Sequence, residues 1–200
     1  MQIFFVSQCQ FLHSGITTLF RDSKYSDIKI VRSEEPREIL YEINKLRKKK
    51  IKAIILVDMI ESSPEFIVHN LCFLWNIRRM MSHSDNLKNI PCILLGNNDR
   101  EVPGFQCLPT HETKESLIQM VTHAFKYPRL YTTNRMPQIS LCKSQRIMMN
   151  KIIQGVSLKN IAEHFDTHYR NASSRRRIIM KKIGLRNKLE FYYLAGKILL

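Results

Sequence analysis

Two hundred residues with 44% hydrophobic and 24% charged side chains suit one large or two small globular domains and are too apolar for a disordered chain. The net charge is +15 and unevenly placed: residues 138–200 carry 13 Lys and Arg against three acids (Glu163, Asp166, Glu190), a net of +10, whereas residues 1–137 carry 19 against 14. A basic third on a milder body points to a polyanion-binding module joined to something else, and no apolar run reaches the roughly 18–20 residues that span a bilayer.

The N-terminal MQIFFVSQ lacks the charged start and small-residue cleavage site of a signal peptide. The five cysteines (Cys9, Cys72, Cys92, Cys107, Cys142) are odd in number and show no CxxC or Cys/His ligand spacing. Reduced thiols in a cytoplasmic protein are therefore expected, with no disulfide framework and no metal.

From the N-terminus, short β-branched or aromatic runs alternate with helical periodicity. IFFV (3–6), IKIV (28–31), AIILVD (53–58), CILL (92–95) and FQCL (105–108) predict strands, and apolar spacing predicts helices over 11–21, 35–48, about 65–82 and 113–126. The third and fourth strand runs are almost wholly apolar, as parallel strands covered on both faces are. This alternation predicts an open parallel α/β sheet domain over residues 1–126, with right-handed crossovers. YPRLYTTNRMPQIS (127–140) has two prolines and no apolar period, and reads as a linker.

Residues 141–200 are helical throughout in pattern. SQRIMMNKIIQG places Met148, Met149, Ile152 and Ile153 on one face and stops at Gly155, a suitable residue for ending a helix. Ser157 suits the N-cap of LKNIAEHF. A turn near Asp166 and Thr167 leads to a basic helix ending at Gly184, and NKLEFYYLAGKILL supplies a fourth. Short helices with tight connections, the third the most basic, predict a helix-turn-helix module. On that third helix Ala172, Arg176, Ile179 and Ile183 form one stripe, and Arg170, Ser173, Ser174, Arg177 and Lys181 fall opposite. Small serines allow close approach to a groove, while arginine reaches phosphates or the O6/N7 edge of guanine.

Residues 141–191 resemble the C-terminal DNA-binding domain of the LuxR/NarL/FixJ transcription regulators. The first half of the pattern is present as Leu141, Gln154, Gly155, Ser157, Lys159, Ile161, Ala162 and Glu163, and the second as Lys181, Lys182, Gly184, Leu185, Asn187 and Lys188. The resemblance implies base-facing roles for Ser173, Ser174 and Arg177, with Arg170, Asn171, Arg175 and Lys181 at the phosphates. The family's usual Val-Lys-x-His is here Ala172, Ser173, Ser174, Arg175, which implies a different operator. Cys142 stands where the family has a capping Thr, and cysteine caps poorly.

Residues 1–126 resemble the receiver domain of response regulators. The strand IILVDM keeps the phospho-acceptor carboxylate as Asp58, but the paired metal-binding acids are Ser7 and Gln8, the Thr/Ser of the fourth strand is Gly96, and the lysine of the fifth is Pro109. Only NNDREVP separates Gly96 from Gly104, too few residues for the helix a receiver carries there. Phosphoryl transfer needs metal and lysine charge on the developing oxyanions, so Asp58 is expected to be vestigial. What the resemblance implies is a cytoplasmic bacterial transcription regulator, associated with the nucleoid when bound to double-stranded DNA. It would be independent of phosphorylation and act as a homodimer or with a related response regulator. No enzymatic activity, cofactor, metal, membrane or small-molecule ligand is expected. The rivals are a conventional phosphorylated response regulator and a co-regulator that captures a partner regulator more than DNA.

Overall fold

The computed structural model describes residues 1–60, 63–82, 89–96, 102, 105–109, 113–132 and 141–199. Five strands, β1 (Gln2–Val6), β2 (Lys29–Arg32), β3 (Ala53–Met59), β4 (Cys92–Gly96) and β5 (Gln106–Pro109), form one sheet. Every pairing is parallel, in the order β2-β1-β3-β4-β5. The helices packed on it are α1 (Gln10–Arg21), α2 (Pro36–Lys48), α3 (Pro64–Ser82) and α4 (Lys114–Lys126). Each strand and helix boundary falls within one residue of its sequence expectation, and the expected fold class is the observed one.

Side chains of a strand alternate between faces, which sorts the core into two. Ile3, Phe5, Ile54, Leu56 and Ile93 face α1 (Ile16, Phe20) and α4 (Val121, Phe125). Phe4, Val6, Ile55, Val57 and Leu94 face α2 (Ile39, Ile43) and α3 (Ile67, Leu74). Both faces being covered explains why β1, β3 and β4 read as unbroken apolar runs. Among the described residues no helix joins β4 to β5.

The first residues of the expected linker are tied to the sheet domain. Pro128–Leu130 form a 3-10 turn, the Tyr131 carbonyl accepts from the Cys92 amide at 3.1 Å, and Thr132 is buried. That backbone bond, with the Gln106 side-chain amide donating to the Leu130 carbonyl at 3.3 Å, holds this stretch to the sheet without any apolar period. Residues 133–140 lie outside the described ones.

The C-terminal part holds α5 (Lys143–Ile153), α6 (Leu158–His164), α7 (Tyr169–Lys182) and α8 (Lys188–Leu199). Each of the three turns between them places one residue in the left-handed region, Gly155 (φ +79°), Asp166 (φ +46°) and Gly184 (φ +81°). Across each, the amide beyond the turn residue reaches back to a carbonyl five positions earlier, as Thr167 does to Ala162 at 2.9 Å and Leu185 to Met180 at 2.9 Å. Such closures satisfy carbonyls that a helix end leaves unpaired. The Ser157 hydroxyl accepts from the Asn160 amide at 3.2 Å, as an N-cap should. At α5 the Gln145 Oε1 accepts from the Cys142 amide at 3.2 Å, while the thiol lies 3.2 Å from the Ser144 hydroxyl. No helix among the described residues is long and apolar enough to cross a membrane.

Candidate nucleic-acid interface

α7 is set by its inner stripe. Ala172, Ile179, Met180 and Ile183 are buried and join the same core as Ile161 and Ala162 of α6, which holds α6 and α7 as a packed pair across the Asp166 turn. Rotated away from that stripe, Arg170, Asn171, Ser174, Arg175, Arg177 and Lys181 are exposed and Ser173 is half-buried. The anticipated face is thus brought together on one helix. Thr167 orients one member of it, accepting from the Asn171 Nδ2 at 3.2 Å.

No acid occurs between Asp166 and Glu190. The ion pairs among the described residues lie at Arg21–Asp22, Arg32–Glu34 and Lys45–Glu42, and none includes an α7 arginine. A solvated helix built for solubility carries Glu/Lys pairs three or four residues apart; the outward arginines of α7 have no acid partner among the described residues, and such a positive field attracts a phosphate backbone.

Two basic residues of α7 point elsewhere. Arg176 is half-buried on the inner stripe with its Nε buried and without a hydrogen-bond partner among the described residues, its stem covering apolar surface. Lys182 donates to the Gln145 Oε1 at 3.0 Å and ties the end of α7 to the start of α5. Sequence reasoning gave no role to Tyr169 and Ile178, which stand 57% and 50% exposed on this helix. An isoleucine left in solvent beside Arg177 is chemically suited to a thymine methyl, and its break with the apolar stripe was the available signal.

The Asp58 end of the sheet is built differently. Register pairs Val6 with Val57, so the residues that follow β1 meet those that end β3. The Ser7 hydroxyl donates to Asp58 Oδ2 at 2.7 Å and the Ile60 amide to Oδ1 at 2.9 Å, while the Asn70 side chain donates to the Asp58 carbonyl. Asp58 and Ser7 are each 1% exposed. Burial pushes the Asp58 carboxyl above its ordinary value, opposed by the Ile60 and Ser7 hydrogen bonds. Gln8 is exposed. At Gly96 a Cβ would lie 3.2 Å from Met59 Cβ and 3.5 Å from Cys107 Sγ, so this position has little room for any side chain, hydroxyl-bearing or not. Pro109 pairs with Gly96 in the strand register. No cluster of His, Cys, Asp and Glu able to hold a metal is found among the described residues.

A five-stranded parallel α/β domain followed by a four-helix module containing a helix-turn-helix is the architecture of two-domain response regulators, and solved structures of that kind superpose on the whole chain. A two-component response regulator, RcsB, in complex with DNA is 14% identical, with a TM-score of 0.56 and 98% of each chain covered. RcsB from Salmonella enterica serovar Typhimurium, bound to a promoter in the presence of a phosphomimetic, is 15% identical with a TM-score of 0.55 over 98% of each chain. Two RcsB dimers bound to parallel DNAs give 12% identity and a TM-score of 0.53, covering 99% of this chain and 98% of that one. At such identity the likeness establishes fold, and function must be argued from the site. No protein-family model and no curated protein matches the sequence.

Proposed function

We propose that this chain is a sequence-specific DNA-binding transcription regulator that works without phosphorylation. The observation that carries the reading is the outer face of α7: Arg170, Ser174, Arg175, Arg177 and Lys181 exposed together, unpaired by any acid among the described residues, over a buried stripe that fixes the helix. Arg177, Ser173 and Ser174 read base edges, while Arg170, Asn171, Arg175 and Lys181 hold phosphates. The structurally similar RcsB has been solved on DNA, which supports the same use of the module here. One helix-turn-helix reads a half-site, so stable binding takes two copies. The partner is a second copy or a related response regulator, and Leu189, Tyr192 and Tyr193, exposed on α8, suit that contact.

The N-terminal domain has the receiver fold, with Asp58 vestigial. Its buried carboxylate is held by a serine where the family places an acid. A mobility-shift titration of the full chain on selected and random duplexes, with and without a candidate partner regulator, tests the reading. Tight binding to a subset of duplexes, falling steeply with salt, is the expected result. Salt-independent association, or binding only through the partner with α7 arginines dispensable, favours the co-regulator alternative instead.

A further inference from the structure

α2 and α3 lie on the same face of the sheet but are buried unequally. α2 is one-sided: Arg37, Glu38, Tyr41, Lys45 and Lys48 are exposed and Ile39 and Ile43 are buried. On α3, by contrast, Glu65, Asn76 and Arg79 are the only exposed residues among those described, and Phe66, Ile67, Val68, Leu71 and Phe73 are all buried. At 3.6 residues per turn those positions take up more than half the helix circumference. A helix apolar over so wide an arc needs cover on two sides, and the sheet covers one.

The second cover comes from the C-terminal module. Gly184 turns the chain so near to α3 that a Cβ there would lie 3.2 Å from Leu71 Cδ2 and 3.5 Å from Val102 Cγ1. α8 follows, packed on α3 as well as on α5, with Phe191, Leu194 and Ala195 buried. One apolar cluster therefore runs unbroken from Phe4 and Val57 in the sheet through Leu71 to Ile179 and Leu194. Val102 belongs to the connection between β4 and β5, nine residues long (97–105). A right-handed crossover helix at that point would lie beside α3 on this same face.

We propose that the Gly184 turn and α8 cover the flank of α3 that a β4–β5 crossover helix would otherwise cover, making the two halves one obligate folding unit. The N-terminal domain is then a fixed brace for the helix-turn-helix module, not a part that swings away from it. The outer face of α7 takes no part in the contact, since Arg170, Ser174 and Arg177 remain exposed; the docked form is already open to a ligand on that side.

The test uses the full chain with a protease site inserted between residues 133 and 140. After cleavage the two fragments should co-elute in native size-exclusion chromatography. Fluorescence of Trp75, the one tryptophan, which sits half-buried on α3, should melt coincidently with helical circular dichroism. Fragments that separate, or two transitions of which Trp75 reports one, overturn the proposal. Val102→Asp should release the C-terminal fragment from the cleaved protein, and continued co-elution overturns the assigned contact. Should that variant fail to fold, Val102→Ala serves instead: fragment dissociation should rise about tenfold, the loss expected for two buried methyl groups, and an unchanged constant overturns the assignment. None of these readouts requires DNA, so the outcome is separate from that of the functional reading above.

Discussion

The Asp58 end of the sheet and the outer face of α7 both depart from the patterns they resemble, and in opposite ways. Around Asp58 the neighbouring groups close the site: Ser7 caps one carboxylate oxygen, the Ile60 amide caps the other, and Gly96 is hemmed in by Met59 and Cys107. On α7 the inner stripe stays small and apolar, with Ala172 and Ile179 buried, while Ser173 and Arg175 change the chemistry of the side turned away from it. The difference teaches what each kind of site tolerates. Phosphoryl chemistry fails once charge and space are withdrawn, since it depends on all its groups together. A groove-reading helix, the role proposed for α7, can exchange its contact residues, because the packed stripe, not the contacts, positions it.

The largest effects are expected on α7. Arg177→Ala should cost about 1–3 kcal/mol at one base pair, as loss of a bidentate guanine contact does, and relax preference there. Arg170→Ala should weaken all sequences alike and flatten the salt dependence by about 0.9 in log–log slope, one phosphate's worth. Binding of both variants to selected and random duplexes across a salt series checks the division. If both shift the two classes of DNA in the same ratio, the assignment of faces fails.

Next in size, Gly96→Thr probes whether the closed end can be reopened. Three more heavy atoms, the first of them a Cβ 3.2 Å from Met59 Cβ, must push β3 or β5 aside, and overpacking of this kind costs about 1–3 kcal/mol. Urea unfolding should show a lower midpoint with the slope unchanged. Restoring the hydroxyl that the receiver pattern places here would thus weaken the fold without restoring a switch. A neutral or stabilising result would mean that the site retains room after all.

Smaller still is the cap of α5. An oxygen at position 142 accepts from the first-turn amides better than a thiol, so Cys142→Thr should stabilise by about 0.5–1 kcal/mol, read as a raised urea midpoint. The exposed thiol has its pKa lowered, first by the Ser144 hydroxyl and then by backbone at Gln145. The same variant should accordingly remove the fastest-alkylating cysteine among those described, as the buried Cys92 is pushed up to about 12.

The parallel sheet and its element bounds were legible because two-sided burial writes itself into composition: Ile54 to Val57 are apolar without interruption since both faces of β3 are covered. The exposed side of α7 was legible for the converse reason, a stripe of Ala172, Ile179 and Ile183 leaving Arg170, Arg175 and Arg177 nowhere else to go. Other features left no such mark. The loss of acids at Ser7 and Gln8 is visible in sequence, but that the Ser7 hydroxyl lands on Asp58 follows only from the β1–β3 register. Tyr131 is tied to the sheet through its carbonyl, and backbone bonds carry no side-chain pattern. The wide apolar arc of α3 was present in FIVHNLCFLW, yet periodicity tells that a helix is covered and not by what. Nor does any sequence pattern tell that Lys182 reaches back to Gln145 at the start of α5.

The smallest effect, and the one that divides the two sites most cleanly, is expected at Asp58. Aspartyl phosphate forms where a metal sits beside the carboxylate and the transferring oxygens are neutralised; here the neighbouring groups are the Ser7 hydroxyl and the Ile60 amide, which leave the carboxylate 1% exposed. Acetyl phosphate with Mg²⁺ should neither label the chain nor tighten DNA binding, and Asp58→Asn should leave operator affinity and reporter output at wild-type level. What the substitution should change is the pH dependence of stability. Because burial raises the Asp58 pKa, the folded state binds this proton more tightly than the unfolded state. Its stabilisation is therefore complete below the ordinary value of 3.8 and is lost as pH rises through the folded value. Above that value the wild type carries a buried charge that Asp58→Asn lacks, so the variant should be the more stable at neutral pH. Its advantage should shrink on acidification toward 3.8, followed by urea midpoints for the two proteins. Stoichiometric labelling at Asp58 accompanied by tighter operator binding would overturn the vestigial assignment and return the chain to the phosphorylated class of regulators.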